Sequence, residues 1–182
     1  NTLLDPARAL DHLRVLAKTH PLDLGRVISV GHSAGGQLAL WLAARGKLKP
    51  GGDLYMENPL PLKAVVGLAA ITDLETYRVG PADSCNASVD QLMGGSNAHH
   101  PQRFAQASPM ALLPLGVPQW LIQGELDRIV PVTSASAYAQ AATTKGDLVN
   151  LKILPQAGHF EPVAPQPPAW AALLEVLKSA LK

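Results

Sequence analysis

The sequence predicts an α/β protein, a mostly parallel β-sheet with helices on both faces. Three observations carry this expectation. Short apolar runs alternate with longer amphipathic segments along the 182 residues, the pattern of a parallel sheet with crossover helices. The run from Lys63 to Ala70 (Lys-Ala-Val-Val-Gly-Leu-Ala-Ala) has no polar alternation, as expected of a strand buried on both faces. Glycines and prolines stand at the joints between the two kinds of segment, where turns need them.

In order, the first helix is expected from Asp5 to His20, with Leu10, Leu13, Val15 and Leu16 on a helical period. Asp5-Pro6 supplies its cap and first turn, and Pro21 ends it. Arg26 to Val30 reads as a short strand punctuated by Gly31, and Ala34 to Arg45 as a second helix with Leu38, Leu40, Trp41 and Leu42 on its apolar surface. Residues 49–59 have loop chemistry, and Lys63 to Ala70 is the second strand. Pro118 to Gln123 and Leu148 to Leu154 are two further strands. They flank a helix from Val132 to Lys145, with Gly146 where a C-cap belongs. Trp170, Leu173, Leu174, Val176, Leu177 and Leu181 mark a last helix from Pro168 to Lys182.

Residues 72–115 break the rhythm. They hold prolines, glycines, two helical fragments and the pair His99-His100, but no clean strand. A connection of that length is expected to be a cap-like insertion in a single domain of residues 1–182.

Composition excludes several classes. The formal net charge is +1 with both signs scattered, so neither nucleic acid nor an anionic membrane surface is an expected partner. One cysteine, Cys85, excludes an intrachain disulfide framework and a thiolate metal cluster. No apolar run approaches the ~20 residues of a membrane span. The first residue is Asn1 and the opening residues do not form a signal peptide, so the natural N-terminus is expected to lie upstream. A cytoplasmic location is favoured; oligomeric state is left open.

The chemistry concentrates at Gly31-His32-Ser33-Ala34-Gly35. A Gly-x-Ser-x-Gly run holds its serine on a sharp strand-to-helix turn that lifts the hydroxyl above the sheet. The helix N-terminus then directs partial positive charge at a developing oxyanion, with the Ala34 N–H as one donor. Chance produces the bare pattern in about one chain of this size in twenty. Here a strand enters it and a helix leaves it, so Ser33 is expected to be a nucleophile.

A serine hydroxyl needs a base, and the base needs an orienting acid. For a serine at such an elbow the chain order is Ser, then Asp or Glu, then His. His12 and His20 precede Ser33, His32 is expected to pack or bond locally within the elbow, and His99 and His100 read as a solvated loop pair. His159 stands after the last strand, in Ala157-Gly158-His159-Phe160, and is the expected base. Asp53, Asp73, Asp83, Asp90, Asp127 and Asp147 all lie between serine and base. Position after a strand favours Asp127, with Asp73 and Glu125 as alternatives; Asp73 otherwise caps a turn. No His/Asp/Glu group has metal-ligand spacing, and no cofactor is implied.

The blocks Gly31 to Ala39, Gly124-x-x-Asp127-x-x-Val130-Pro131 and Gly158-His159-Phe160 resemble the α/β-hydrolase superfamily. More narrowly they resemble its small esterases, near the prolyl-oligopeptidase-like and hormone-sensitive-lipase-like carboxylesterases and the arylformamidases. Ala107-Ser108-Pro109 and Leu112-Leu113-Pro114 are also similar to that branch. The resemblance implies cleavage of small carboxylic esters through an acyl-enzyme on a Ser33–His159–Asp127 triad. A peptidase or arylformamidase with the same triad, or a non-catalytic binding module, are the alternatives. Relatives carry a His-Gly-Gly run that supplies a second oxyanion N–H, and this sequence has none. The resemblance therefore implies the C-terminal two-thirds of the fold, with the nucleophile strand at a sheet edge.

Overall fold

A computed structural model describes residues 2–81, 84–166 and 168–181; Asn1, Asp83 and Lys182 lie outside the described residues. Four strands, β1 (Ile28–His32), β2 (Ala64–Leu68), β3 (Gln119–Gly124) and β4 (Val149–Leu154), form one sheet in the order β1-β2-β3-β4. Every neighbouring pair is parallel. Each connection must therefore cross from the end of one strand to the start of the next, which requires an intervening helix.

The helices are α1 (Leu4–Leu16), α2 (Ala34–Ala44), α3 (Leu74–Arg78), α4 (Ala87–Met93), α5 (Pro101–Ala107), α6 (Val132–Thr144) and α7 (Ala169–Ala180). Strands are added in one direction only, so right-handed crossovers place α2 and α6 on the same face. Leu40 and Trp41 of α2 and Tyr138 of α6 share a core there with Val65 and Leu121. The next residues along the same two strands, Val66 and Ile122, point to the opposite face. There they join Leu68, Leu154, Ala172, Leu173 and Val176 under α7. All five residues of β2 are buried, as its unalternating sequence requires, whereas β1 stands at one edge with Val30 exposed.

The observed boundaries differ from expectation for local reasons. The first helix closes at Leu16, not His20, because Lys18 N and Thr19 N donate to Val15 O and Leu16 O in tight i→i+3 turns. The strand expected over Arg26 to Val30 is displaced to Ile28–His32. Asp23 accepts from Gly25 N and folds Leu24–Arg26 into a 3₁₀ turn, and the ladder continues through Gly31 and His32 to Leu68.

The irregular residues 72–115 contain α3, α4, α5 and a 3₁₀ turn at Pro109–Leu112, one helix more than expected. Their inner side is continuous with the main core through Tyr77, Met93, Phe104 and Ala107. Two side chains of α2 fasten α5: Gln37 Nε2 donates to Ala107 O and Trp41 Nε1 to Gln106 O, both at 2.8 Å.

α1 is held by one charge pair. Arg45, 3% exposed, donates from both terminal nitrogens to Asp11 at 2.8 Å, and Asp11 also accepts from Leu60 N at 2.7 Å. Burial opposes ionisation of Asp11. The Arg45 hydrogen bonds, the Leu60 N–H and the charges of Arg45 and Arg14 outweigh that and hold its carboxyl below the usual value. A lowered folded value means that the stabilisation is complete above the ordinary carboxylate range. It is lost as pH falls through the folded value. Asp11→Ala strands the Arg45 guanidinium and is expected to cost about 3 kcal/mol in urea denaturation. Asp11→Asn should reduce the loss of stability between neutral and acid pH relative to the parent chain.

Candidate active site

The site is assembled where strands β1 and β3 and the loop after β4 reach the same end of the sheet. At the end of β1 the chain reverses into α2 within one residue, and Ser33 takes φ 55° and ψ −119°. Such a conformation in a residue with a Cβ costs about 1–3 kcal/mol and survives only where surroundings impose it. They do so here: Ser33 N donates to Leu68 O at 2.9 Å, and Ser33 O accepts from Gln37 N and Ile71 N. Strand and helix come so close that a Cβ on Gly31 would collide with the Gly35 carbonyl. One on Gly36 would lie 2.6 Å from the Ala70 Cβ. Ala34 begins α2, and its N–H has no acceptor among the described residues.

Asp127 follows β3 in a turn that it organises itself. Its Oδ1 accepts from the N–H groups of Ile129 and Val130, each at 2.8 Å. Its Oδ2 accepts from His159 Nδ1 at 2.8 Å and from Gln123 Nε2 at 2.9 Å. Burial opposes its ionisation, but the His159, Val130 and Ile129 hydrogen bonds and the charge of His159 together hold the carboxyl below its usual value. Asp127 is thus an anion and a hydrogen-bond acceptor, which fixes the His159 tautomer with the proton on Nδ1.

His159 lies in the turn after β4 and is buried, at 7% exposure. That turn leans on the end of β3: Leu126 N donates to Ala157 O at 2.8 Å, and Gly124 touches the Gly158 carbonyl so closely that no Cβ fits. Gly158 N donates to Glu161 Oε2 at 2.9 Å.

The expectation that His32 bonds locally is corrected. Its Nε2–H donates to the backbone carbonyl of His159, 127 residues away, at 2.8 Å. The two rings are 4.6 Å apart at 50°, and Phe160 adds its ring 5.1 Å from His159. Ser33 Oγ makes no hydrogen bond among the described residues, so Ser33 is joined to the His159–Asp127 pair through its neighbour His32.

The alternatives fall elsewhere. Asp73 caps α3, accepting from Glu75 N and Thr76 Oγ1, and Glu125 accepts from Gln156 N. His99 bonds Ser96 and His100 bonds Gly94 O. Among the described residues no three His, Cys, Asp or Glu side chains are placed to hold a metal ion, and no helix is long and apolar enough to cross a membrane. Gln123 and His32 are the two contributors that the sequence did not reveal. His32 acts through a contact that forms only when the loop after β4 reaches the elbow, and Gln123 through one to Asp127 four residues on, which its burial fixes. Burial pushes the phenol of Tyr77 in α3 up.

The parallel sheet, the elbow and the hydrogen-bonded Asp127–His159 pair at successive strand ends define an α/β-hydrolase fold. Residues 2–141 match the BD-FAE family model, and the chain belongs to that family. No curated protein matches the sequence. Among solved structures, the chain is similar to a thermophilic esterase from the Planctomycetes species Thermogutta terrifontis. The identity is 19% and the TM-score 0.74, over 97% of this chain and 63% of that one. It is also similar to an acetyl ester-xyloside bifunctional hydrolase from Caldicellulosiruptor lactoaceticus, at 22% identity and TM-score 0.73, over 98% of this chain and 65% of that one. An acylaminoacyl peptidase from Pyrococcus horikoshii shares 19% identity and a TM-score of 0.70, over 93% of this chain and 26% of the peptidase. The chain thus spans less than two-thirds of the length of these structures.

The strain at Ser33 is directly measurable. Glycine occupies positive φ without penalty, whereas alanine inherits the serine's conformation. Ser33→Gly is therefore expected to melt a few degrees above Ser33→Ala in a thermal scan, reversing their usual order.

Proposed function

We propose that the chain is a serine hydrolase that cleaves small carboxylic esters through an acyl-enzyme. The observation that carries this reading is the 2.8 Å hydrogen bond between His159 and Asp127, in a pair tied to the residue next to a strained elbow serine. Ser33 Oγ attacks the ester carbonyl while His159 Nε2 takes its proton, and Asp127 holds the imidazole and stabilises the imidazolium. The Ala34 N–H at the start of α2 donates to the oxyanion. His159 then protonates the leaving alcohol, and a water activated by the same imidazole releases the acid. The mechanism calls for no cofactor.

The related structures support a short-acyl substrate. The Thermogutta esterase has been captured with butyrate and phosphoramylated by tabun, and the Caldicellulosiruptor enzyme is an acetyl ester hydrolase. The exposed ring of Phe160 beside the base and exposed Leu126 give the site an apolar rim suited to a small acyl or alkoxy group. The fold shared with an acylaminoacyl peptidase makes amide cleavage by the same triad the competing reading.

A fluorophosphonate probe is expected to label the chain at Ser33, located by peptide mass spectrometry, and to leave Ser33→Ala unlabelled. Turnover of p-nitrophenyl acetate should fall at least ~10³-fold in Ser33→Ala, and about 10⁴-fold in Asp127→Asn through the wrong imidazole tautomer. Full turnover by Ser33→Ala would overturn the assignment. Faster cleavage of acylated peptides than of matched esters would transfer the site to peptidase chemistry.

A further inference from the structure

We infer that His32 is a positioning residue for His159, holding the base loop over the nucleophile elbow; this rests on the Ser33–His159–Asp127 reading above. The geometry separates the site into two bodies. Ser33 is fixed to β2 through Leu68 O and Ile71 N. His159 is fixed to the end of β3 through Asp127, Leu126 and the close approach of Gly124 to Gly158. Among the described residues, the bond from His32 Nε2 to His159 O is the one hydrogen bond between the elbow and the base loop.

The chemistry of the two imidazoles assigns their roles. His159 carries its proton on Nδ1, because Asp127 is the acceptor, which leaves Nε2 free to take a proton from Ser33. His32 has the opposite requirement. Its Nε2 faces a carbonyl oxygen, which only accepts, so Nε2 must carry the proton. His32 therefore presents no basic nitrogen from Nε2, and no carboxylate bonds its ring among the described residues. It is unsuited to be the base and well suited to be a tether.

Its ring adds a second restraint. It lies 4.6 Å from the His159 ring and 5.8 Å from that of Phe160, so the base is confined by a hydrogen bond at its carbonyl and by rings beside its imidazole. Losing the hydrogen bond allows the imidazole to drift relative to Ser33 even where a ring remains, and a drift of about 1 Å from attack geometry can cost on the order of 10² in rate.

Side-chain geometry provides the test. A glutamine places its Nε2 close to where a histidine places Nε2, whereas an asparagine amide reaches only the Nδ1 position. With p-nitrophenyl acetate, His32→Asn and His32→Phe are expected to lower kcat about 30- to 100-fold with KM within twofold of the parent. His32→Gln should recover most of that loss. Fluorophosphonate labelling of Ser33 should slow in parallel, and the melting temperatures of the Gln and Asn variants should agree within a few degrees. Equal kcat in the Gln and Asn variants, or a parent-like kcat in His32→Phe, would overturn the tether while leaving Ser33 labelling and the triad intact. A parent chain not labelled at Ser33 would instead remove the reading on which the inference stands. Should His32→Phe fail to fold, the Gln–Asn comparison decides alone.

Discussion

Gly31 lies against the carbonyl of Gly35, and Gly124 against that of Gly158, so closely that neither position admits a Cβ. Both contacts occur at the C-terminal ends of parallel strands, where the chain leaves the sheet. The first lets α2 start directly above β1, which forces Ser33 into its positive-φ turn. The second lets the loop after β4 fold back across β3, which brings His159 over the carboxylate of Asp127. A side chain at either glycine would move one half of the site away from the other. The parallel topology is the larger condition behind both, since it delivers every strand end to the same side of the sheet.

Around that frame the site carries local costs. Ser33 holds an unfavourable backbone conformation. Gln123 is 1% exposed, with its amide nitrogen between Asp127 and Val130 O. Its amide oxygen, turned the other way, is buried without a partner, at a cost of about 1–3 kcal/mol. Reversing the amide would set oxygen against carboxylate, so the orientation that serves Asp127 is the one that leaves the oxygen unsatisfied. At the opposite end of β3 a second buried polar chain is matched: Tyr138 donates to Gln119, Gln119 to Asp147, and Asp147 accepts from Leu115 N and Gly116 N.

This contrast also explains what is legible in the sequence. The order of strands and helices, the buried character of β2 and the three blocks around Ser33, Asp127 and His159 are visible because each depends on neighbours within a few residues. The capping role of Asp73 is legible for the same reason. The displacement of β1 toward His32 is not, because it follows from Asp23 folding the preceding turn, and from pairing with β2 some 35 positions on. The contribution of His32 is wholly tertiary. Nothing near Gly31-His32-Ser33 in the chain distinguishes a ring that bonds its own turn from one that bonds a carbonyl 127 residues away. Gln123 is hidden differently: a polar residue ending an apolar strand resembles an ordinary surface terminus until burial is known.

Ser33 belongs to β1 and β2, Asp127 and His159 to β3 and β4, so the distance between them is set by the β2–β3 ladder. That ladder is deeply buried: Val65 and Val66 are fully buried, Leu121 and Ile122 nearly so. Dense packing on both faces makes the central pair a rigid spacer, because a core at crystal-like density transmits displacement instead of absorbing it. Loops alone would leave Ser33 and His159 free to shift relative to one another. Here the sheet sets the coarse separation, and the contact of His32 with His159 restrains the loop at the top. The strained serine can persist because Leu68, which receives its N–H, is itself held in the α7 core. Substitutions under α7 would therefore reach the site through β2 without touching Ser33, Asp127 or His159.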